Sequence, residues 1–166
     1  MKTLIIIDVQ NDFVDGALGS SEAKSIINPL CDLIRSWNGN IIATLDTHGC
    51  GYIHTREGQY LPVPHCVKPT QGWQLNSEVA QALSMKPNVE YVEKSSFGQF
   101  NWGIEPGEIV IVGLVTDICV INNALIMRNL FPERTISVIE ECCAGTDPEN
   151  HKKALDIMKI NHINIL

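Results

Sequence analysis

Three side chains of different chemistry fall at what read as the carboxyl ends of buried strands: Asp8, Lys94 and Cys119. Cys119 follows an unbroken apolar run, Ile109 to Gly113, through the turn Leu114-Val115-Thr116-Asp117-Ile118, and a helix-like segment comes after it. A thiol at a strand-to-helix turn lies in the field of a helix N-terminus, where backbone N–H groups lack partners and favour negative charge. An isolated cysteine titrates near ~8.5, and such a setting or an adjacent cation lowers that to roughly 3.5 to 7.5. The sequence therefore predicts a nucleophilic thiolate at Cys119, against the commoner fate of a cysteine packed as a small hydrophobe. Asp8 closes the run Leu4 to Ile7, and Lys94 follows Val89 to Val92. Singly, these two are as well explained by helix capping and solvation. An acid, an amine and a thiol at three strand ends of one sheet point to nucleophilic catalysis.

A second constellation lies between residues 46 and 73. Three of the chain's five histidines fall there, as Asp46-Thr47-His48, His54 and Pro64-His65-Cys66-Val67. Carboxylate and imidazole ligands suit zinc, iron or manganese, and an Asp with two or three histidines leaves positions open, as in catalytic rather than structural sites. Two alternatives stand beside this: His54 as a lone surface histidine, and a closed structural zinc site that recruits Cys50 or Cys66. The segment is rich in glycine and proline and has little periodicity. Connections this long inside a compact domain are usually functional or held by something, so it is expected to be pinned by a ligand or metal.

The elements that must position these groups alternate. Short runs rich in β-branched residues at 4–7, 40–45, 89–92, 109–113, 135–139 and 162–166 read as buried strands. Helix-compatible stretches lie at 22–37, 76–85, 117–130 and 148–160. Asp147 before Pro148 reads as an N-cap with a first-turn proline, and Asn38-Gly39 as a helix stop. The fold class is α/β: a three-layer, doubly wound sheet of about six mostly parallel strands, with helices on both faces. In such sheets ligands bind outside the carboxyl ends of the strands, near the point where strand order reverses.

At 166 residues and 45% hydrophobic, the chain is expected to form one domain spanning 1–166. No apolar run approaches the ~18 residues of a membrane span, and the N-terminus lacks a cleavage-site pattern, so a cytoplasmic location is expected. The six cysteines are accordingly read as reduced. Twelve basic against nineteen acidic residues give a net charge of −7 with no basic cluster, which argues against nucleic acid as a partner.

Asp8-Val9-Gln10-Asn11-Asp12-Phe13, Glu93-Lys94-Ser95-Ser96-Phe97 and Gly113-Leu-Val-Thr-Asp-Ile-Cys119-Val120 resemble the three signature regions of the isochorismatase-like cysteine hydrolases. The resemblance spans nearly the whole chain. It implies a catalytic triad of Asp8, Lys94 and Cys119, and a non-proline cis peptide at Leu114-Val115. It also implies an oxyanion hole from the N–H groups of Val115 and Cys119. The Asp46-x-His48 pair and the His65 stretch resemble the nicotinamidase/pyrazinamidase branch, in which a metal binds the pyridine nitrogen and places the carboxamide over the cysteine. The ligands implied are Asp46, His48 and His65, with His54 at a position that varies. The cofactor expected is one divalent ion, Zn2+ first, with Fe2+ or Mn2+ as alternatives. The metal would then orient substrate rather than activate water. Phe13 is the candidate for stacking on the ring, and Tyr60 or Trp73 for the aromatic contributed by the loop.

The reading that follows is a metal-dependent amidase that converts nicotinamide to nicotinate and ammonia through a thioester. A related hydrolase acting on another small amide or carbamoyl compound is the nearest alternative. A non-catalytic small-molecule or metal-binding protein on the same scaffold is the alternative of a different class, and a poised thiolate argues against it. The family resemblance further implies a homo-oligomer. Cys142 and Cys143 are given no role.

Overall fold

The computed structural model describes residues 2–166. Six strands, β1 (Lys2–Ile7), β2 (Asn40–Asp46), β3 (Val89–Lys94), β4 (Glu108–Leu114), β5 (Ile136–Ala144) and β6 (Asn164–Ile165), form one sheet. Its order is β3-β2-β1-β4-β5-β6 and every pairing is parallel. Strand order reverses between β1 and β4. Both are Ile/Val-rich and buried along nearly their whole length, as a central strand covered on both faces requires.

Among the described residues seven α-helices accompany the sheet: α1 (Asn11–Val14), α2 (Ser21–Ser25), α3 (Ile27–Ser36), α4 (Arg56–Tyr60), α5 (Ser77–Ser84), α6 (Ile121–Leu130) and α7 (Pro148–Ile160). β1, β2 and β3 step one way across the sheet and β4, β5 and β6 the other. Right-handed crossovers then put α3 and α5, which pack together, on one face and α6 and α7 on the other. Local chemistry sets the boundaries. The Asp147 side chain accepts the Asn150 N–H at 2.8 Å ahead of Pro148, and Asn76 accepts the N–H groups of Glu78 and Val79 to start α5.

Four expectations need correction. The stretch 22–37 is not one helix: it breaks at Ile26, because Pro29 has no N–H for the Ser25 carbonyl and its ring crowds that group. Val89 to Val92 is an edge strand, with Glu90, Tyr91 and Glu93 exposed. β5 continues past Ile139 to Ala144, after a register shift opposite Ile111 and Gly113, and this buries Cys142 and Cys143. The long segment after β2 is not without structure, since it holds a 3₁₀ turn (Tyr52–His54) and α4. All six cysteines are free, and no helix among the described residues is long and apolar enough to cross a membrane.

Candidate active site

Each of the three reactive side chains leaves the carboxyl edge of the sheet. Asp8 follows β1 directly, in the left-handed region at φ 48°, which Asp tolerates better than most residues. Its conformation is held by Thr44 on β2. The Thr44 hydroxyl accepts the Asp8 backbone N–H at 3.1 Å and donates to Asp8 Oδ1 at 2.7 Å. Lys94 is the last residue of β3 and pairs in register with Asp46, the last of β2. Cys119 lies in a one-turn π-helix, Thr116–Val120, that follows β4 directly and leads into α6. The Val120 N–H reaches the Val115 carbonyl at 3.1 Å, the i→i+5 bond of a π-turn, a geometry concentrated at functional sites. The strand ends closely abutting β1, since a Cβ on Gly113 would stand 2.2 Å from the Ile7 carbonyl oxygen. The Leu114–Val115 peptide is cis.

The Lys94 ammonium is the hub. It lies 2.6 Å from Asp8 Oδ2, 3.4 Å from Asp46 Oδ1 and 3.6 Å from Cys119 Sγ, and donates to the Ser96 carbonyl at 3.0 Å. The ion pair with Asp8 Oδ2 is the shortest of the four contacts. Burial acts most strongly on the Lys94 amine, lowering its affinity for the proton. Asp8, Cys119 and Asp46 more than reverse this, and Lys94 stays an ammonium. Burial pushes Asp8 up, with Lys94 opposing only in part. Burial and the Asp8 charge likewise push the Cys119 thiol well up, against the pull of Lys94. The depressed thiol expected from the sequence is thus corrected: burial and the Asp8 charge outweigh the pull of Lys94, which favours the thiol form of Cys119.

Beside this group Asp46, His48, Glu57 and His65 converge, their ligand atoms all within 4.8 Å of one another. His48 Nε2 is 2.9 Å from Asp46 Oδ2, and His65 Nε2 is 3.4 Å from Glu57 Oε1 and 3.6 Å from Asp46 Oδ2. The Nδ1 of His65 donates to the Val63 carbonyl at 2.8 Å, which fixes the tautomer and leaves Nε2 facing the carboxylates. Burial would lower the pKa of His65, but Asp46 and Glu57 raise it to about 10. Burial by itself would raise Asp46; hydrogen bonds from the two histidines and the charge of Lys94 hold it below the usual carboxylate range. Two carboxylates facing two imidazole nitrogens fit a divalent cation such as zinc, iron or manganese. Asp46 joins the two halves of the site, with Oδ1 on Lys94 and Oδ2 on the histidines.

Both groups open on one cavity of about 960 Å³. Phe13, Leu61, Phe97 and Ile118 give it apolar walls, with Asp46, His48, His65 and Cys119 among its lining residues. The ring of Phe13 is 5.4 Å from that of His65.

The chain matches the isochorismatase domain over residues 2–165. It belongs to the isochorismatase family. Within the family it is 27% identical to the nicotinamidase of Saccharomyces cerevisiae, across 100% of this chain and 99% of that protein. The crystal structure of the Bacillus subtilis nicotinamidase/pyrazinamidase superposes with a TM-score of 0.86 at 26% identity, covering 99% of this chain and 98% of the other. The pyrazinamidase of Pyrococcus horikoshii, solved in complex with zinc, superposes with a TM-score of 0.81 at 26% identity over 99% and 98%. These relatives place the chain in the nicotinamidase branch, and amidohydrolase is the enzyme class they carry.

Of the residues the family resemblance singles out, the structure brings Asp8, Lys94 and Cys119 into one contact group and Asp46, His48 and His65 into another. Val115 and Phe13 line the shared cavity. His54 does not join the cluster. It is exposed at the end of the 3₁₀ turn, and Glu57, one turn further on in α4, supplies the fourth group instead. Cys50 and Cys66 also stand outside it, and burial keeps Cys66 protonated. Tyr60 lines the cavity, whereas Trp73 faces a separate groove and donates to Thr47. The residues that sequence reading missed are Glu57, Thr44 and Gln10. Gln10 is fully buried and clamps Asp46 from both sides, accepting its N–H at 2.7 Å and donating to its carbonyl at 2.9 Å.

Proposed function

We propose that this chain hydrolyses nicotinamide to nicotinate and ammonia through a Cys119 thioester. The single observation that carries the reading is the position of Lys94. One ammonium touches Asp8, Cys119 and Asp46, so the thiol machinery and the candidate metal ligands form one continuous site.

The chemistry follows from the charge balance. Burial pushes both Asp8 and Cys119 toward the protonated form, and Lys94 neutralises whichever partner is the anion. The Asp8 carboxylate takes the proton from sulfur. The thiolate adds to the amide carbonyl, and the N–H groups of Val115 and Cys119 receive the developing oxyanion. As the C–N bond breaks, Asp8 returns the proton to nitrogen, which leaves as ammonia. Water then gives a proton to Asp8 and adds to the thioester, the C–S bond breaks, and the proton goes back to sulfur. Asp46, His48, Glu57 and His65 are the residues that would hold a divalent cation. Such an ion supplies a Lewis-acid anchor for the ring nitrogen and so orients the substrate. Phe13 covers the face of the flat ring.

The cavity is at the upper end of the range for drug-sized ligands, which supports a second reading: an aromatic amide larger than nicotinamide. Ammonia release from nicotinamide and from ring-substituted nicotinamides decides between them. Each assay is run on protein as purified, after chelation and after metal return. Activity that survives chelation rejects the anchoring role, and no release from any aromatic amide rejects both readings.

A further inference from the structure

Residues 95–107 return from β3 to β4 and carry neither helix nor strand. No ladder or helix of its own therefore holds this crossover, although it begins at Lys94 and its Phe97 forms part of the cavity wall. Side chains from outside must hold it.

One of them is Asn123, which is fully buried on the first turn of α6, four residues beyond Cys119. Its amide makes three hydrogen bonds. Nδ2 donates to the Cys119 carbonyl at 2.8 Å and to the Phe97 carbonyl at 3.1 Å, and Oδ1 accepts the Gln99 N–H at 2.8 Å. Two donors meeting carbonyls and one acceptor meeting an N–H also settle which way the amide faces. The strapped segment includes Ser96, whose carbonyl takes the Lys94 ammonium at 3.0 Å and whose hydroxyl reaches the Gly98 carbonyl at 2.9 Å. Gly98 lies flush on α6, where a Cβ would stand 2.3 Å from Ile126 Cδ1. The path from ammonium to nucleophile thus runs Lys94, Ser96, Phe97 to Gln99, Asn123, Cys119.

We propose that Asn123 is a positioning residue: it ties the crossover after Lys94 to the carbonyl of Cys119 and so fixes the separation of ammonium and sulfur, 3.6 Å in this structure. The inference rests on the amidase reading for its kinetic test. The rival role is local, in which the amide merely satisfies a carbonyl at the start of α6. Threonine separates the two. A Thr hydroxyl on a helix bonds the i−4 carbonyl, so Asn123→Thr keeps the bond to Cys119 but leaves Phe97 and Gln99 unstrapped.

Steady-state kinetics on nicotinamide are compared for wild type, Asn123→Ala and Asn123→Thr. Because misplacement by about 1 Å costs roughly 100-fold in rate, both variants are expected to lose at least about tenfold in kcat. KM is expected to change less than kcat, since Phe13 and the four clustered side chains sit on other elements and only Phe97 of the cavity wall belongs to the freed segment. A threonine variant with kcat within about threefold of wild type overturns the proposal, and it decides alone if the alanine variant fails to fold. A substrate-free arm measures alkylation of Cys119 by iodoacetamide, resolved by peptide mass from the other five thiols. Asn123→Thr is expected to slow it at least about fivefold, since displacing the ammonium from the sulfur makes the reactive thiolate form harder to reach, and an unchanged rate overturns the proposal. Should wild type release no ammonia from nicotinamide, the functional reading fails and the alkylation arm still decides the positioning role.

Discussion

Glu57→Gln is the substitution that most directly tests the composition of the candidate metal cluster. With both imidazoles neutral, the four side chains carry two negative charges, but Asp46 already shares one oxygen with Lys94 at 3.4 Å. Among the described residues Glu57 pairs with no lysine or arginine; its Oε1 faces His65 Nε2 at 3.4 Å and His48 Nε2 at 3.6 Å. Glutamine keeps the shape and removes the carboxylate whose charge is not offset. Loss of an outer group that merely orients a ligand costs roughly 10- to 100-fold in affinity. Loss of a direct carboxylate ligand belongs at the top of that range, about 100-fold, or about 2.7 kcal/mol. The assay is zinc affinity by competition with a chromophoric chelator at fixed pH, run beside His54→Ala. His54 lies outside the cluster, so its removal is expected to leave affinity within about twofold. Tight binding by Glu57→Gln together with weakened binding by His54→Ala would refute the assignment and restore the histidine as ligand.

Cys119→Ala is expected to abolish ammonia release while leaving the protein folded, with only the modest loss of melting temperature that follows from removing one buried sulfur; residual turnover above a few per cent removes it as nucleophile. Thr44→Val preserves volume but strands the buried Asp8 N–H and removes a donor from Oδ1. Chemical denaturation should show a loss of roughly 1–3 kcal/mol, accompanied by a lower kcat. The third concerns pH. His65 is raised from 6.5 to about 10 in the absence of an ion, so the stability it contributes is fully present below pH 6.5 and is lost as pH rises through about 10. Metal-free protein should therefore melt progressively lower across that window, and zinc-loaded protein, whose ligated imidazole no longer titrates there, should not. Parallel curves for the two forms would contradict this assignment.

How much of this was legible beforehand depends on which physical signal each residue leaves in a sequence. Asp8, Lys94 and Cys119 stand out because each follows a short apolar run, and strand ends of a parallel sheet share one edge. Glu57 leaves no such mark. It sits on a helix of five residues, too short for periodicity, although it is the only acid of the segment 46–73 besides Asp46. The split of the helical stretch after Ser25 was readable from Pro29, and the exposure of β3 from the charges in Val-Glu-Tyr-Val-Glu-Lys, which break any continuous apolar run. The charge state of Cys119 was not readable. It depends on how completely the turn is desolvated and on how closely the charges of Asp8, Lys94 and Asp46 approach the sulfur, and both are properties of the packed molecule.

The geometry of the site is at bottom a matter of strand register. Shifting a strand by one residue sends every side chain to the opposite face, so Lys94 meets Asp46 and Asp8 only in the pairing observed. In a half-exposed sheet the alternation of apolar and polar residues would enforce that pairing. β1 and β4 are buried on both faces and carry no such alternation, so their hydrophobicity alone does not choose among registers. Polar pins do. The Thr44 hydroxyl bonds both the backbone and the carboxylate of Asp8, and Gln10 brackets the backbone of Asp46. The close approach of Gly113 to Ile7 has no room for a side chain. All three sit at the carboxyl edge, where a slip would strand buried polar groups or force a clash. The contacts that orient the reactive carboxylates are thus also those that make the correct register the cheapest one, which ties the integrity of the site to the integrity of the sheet.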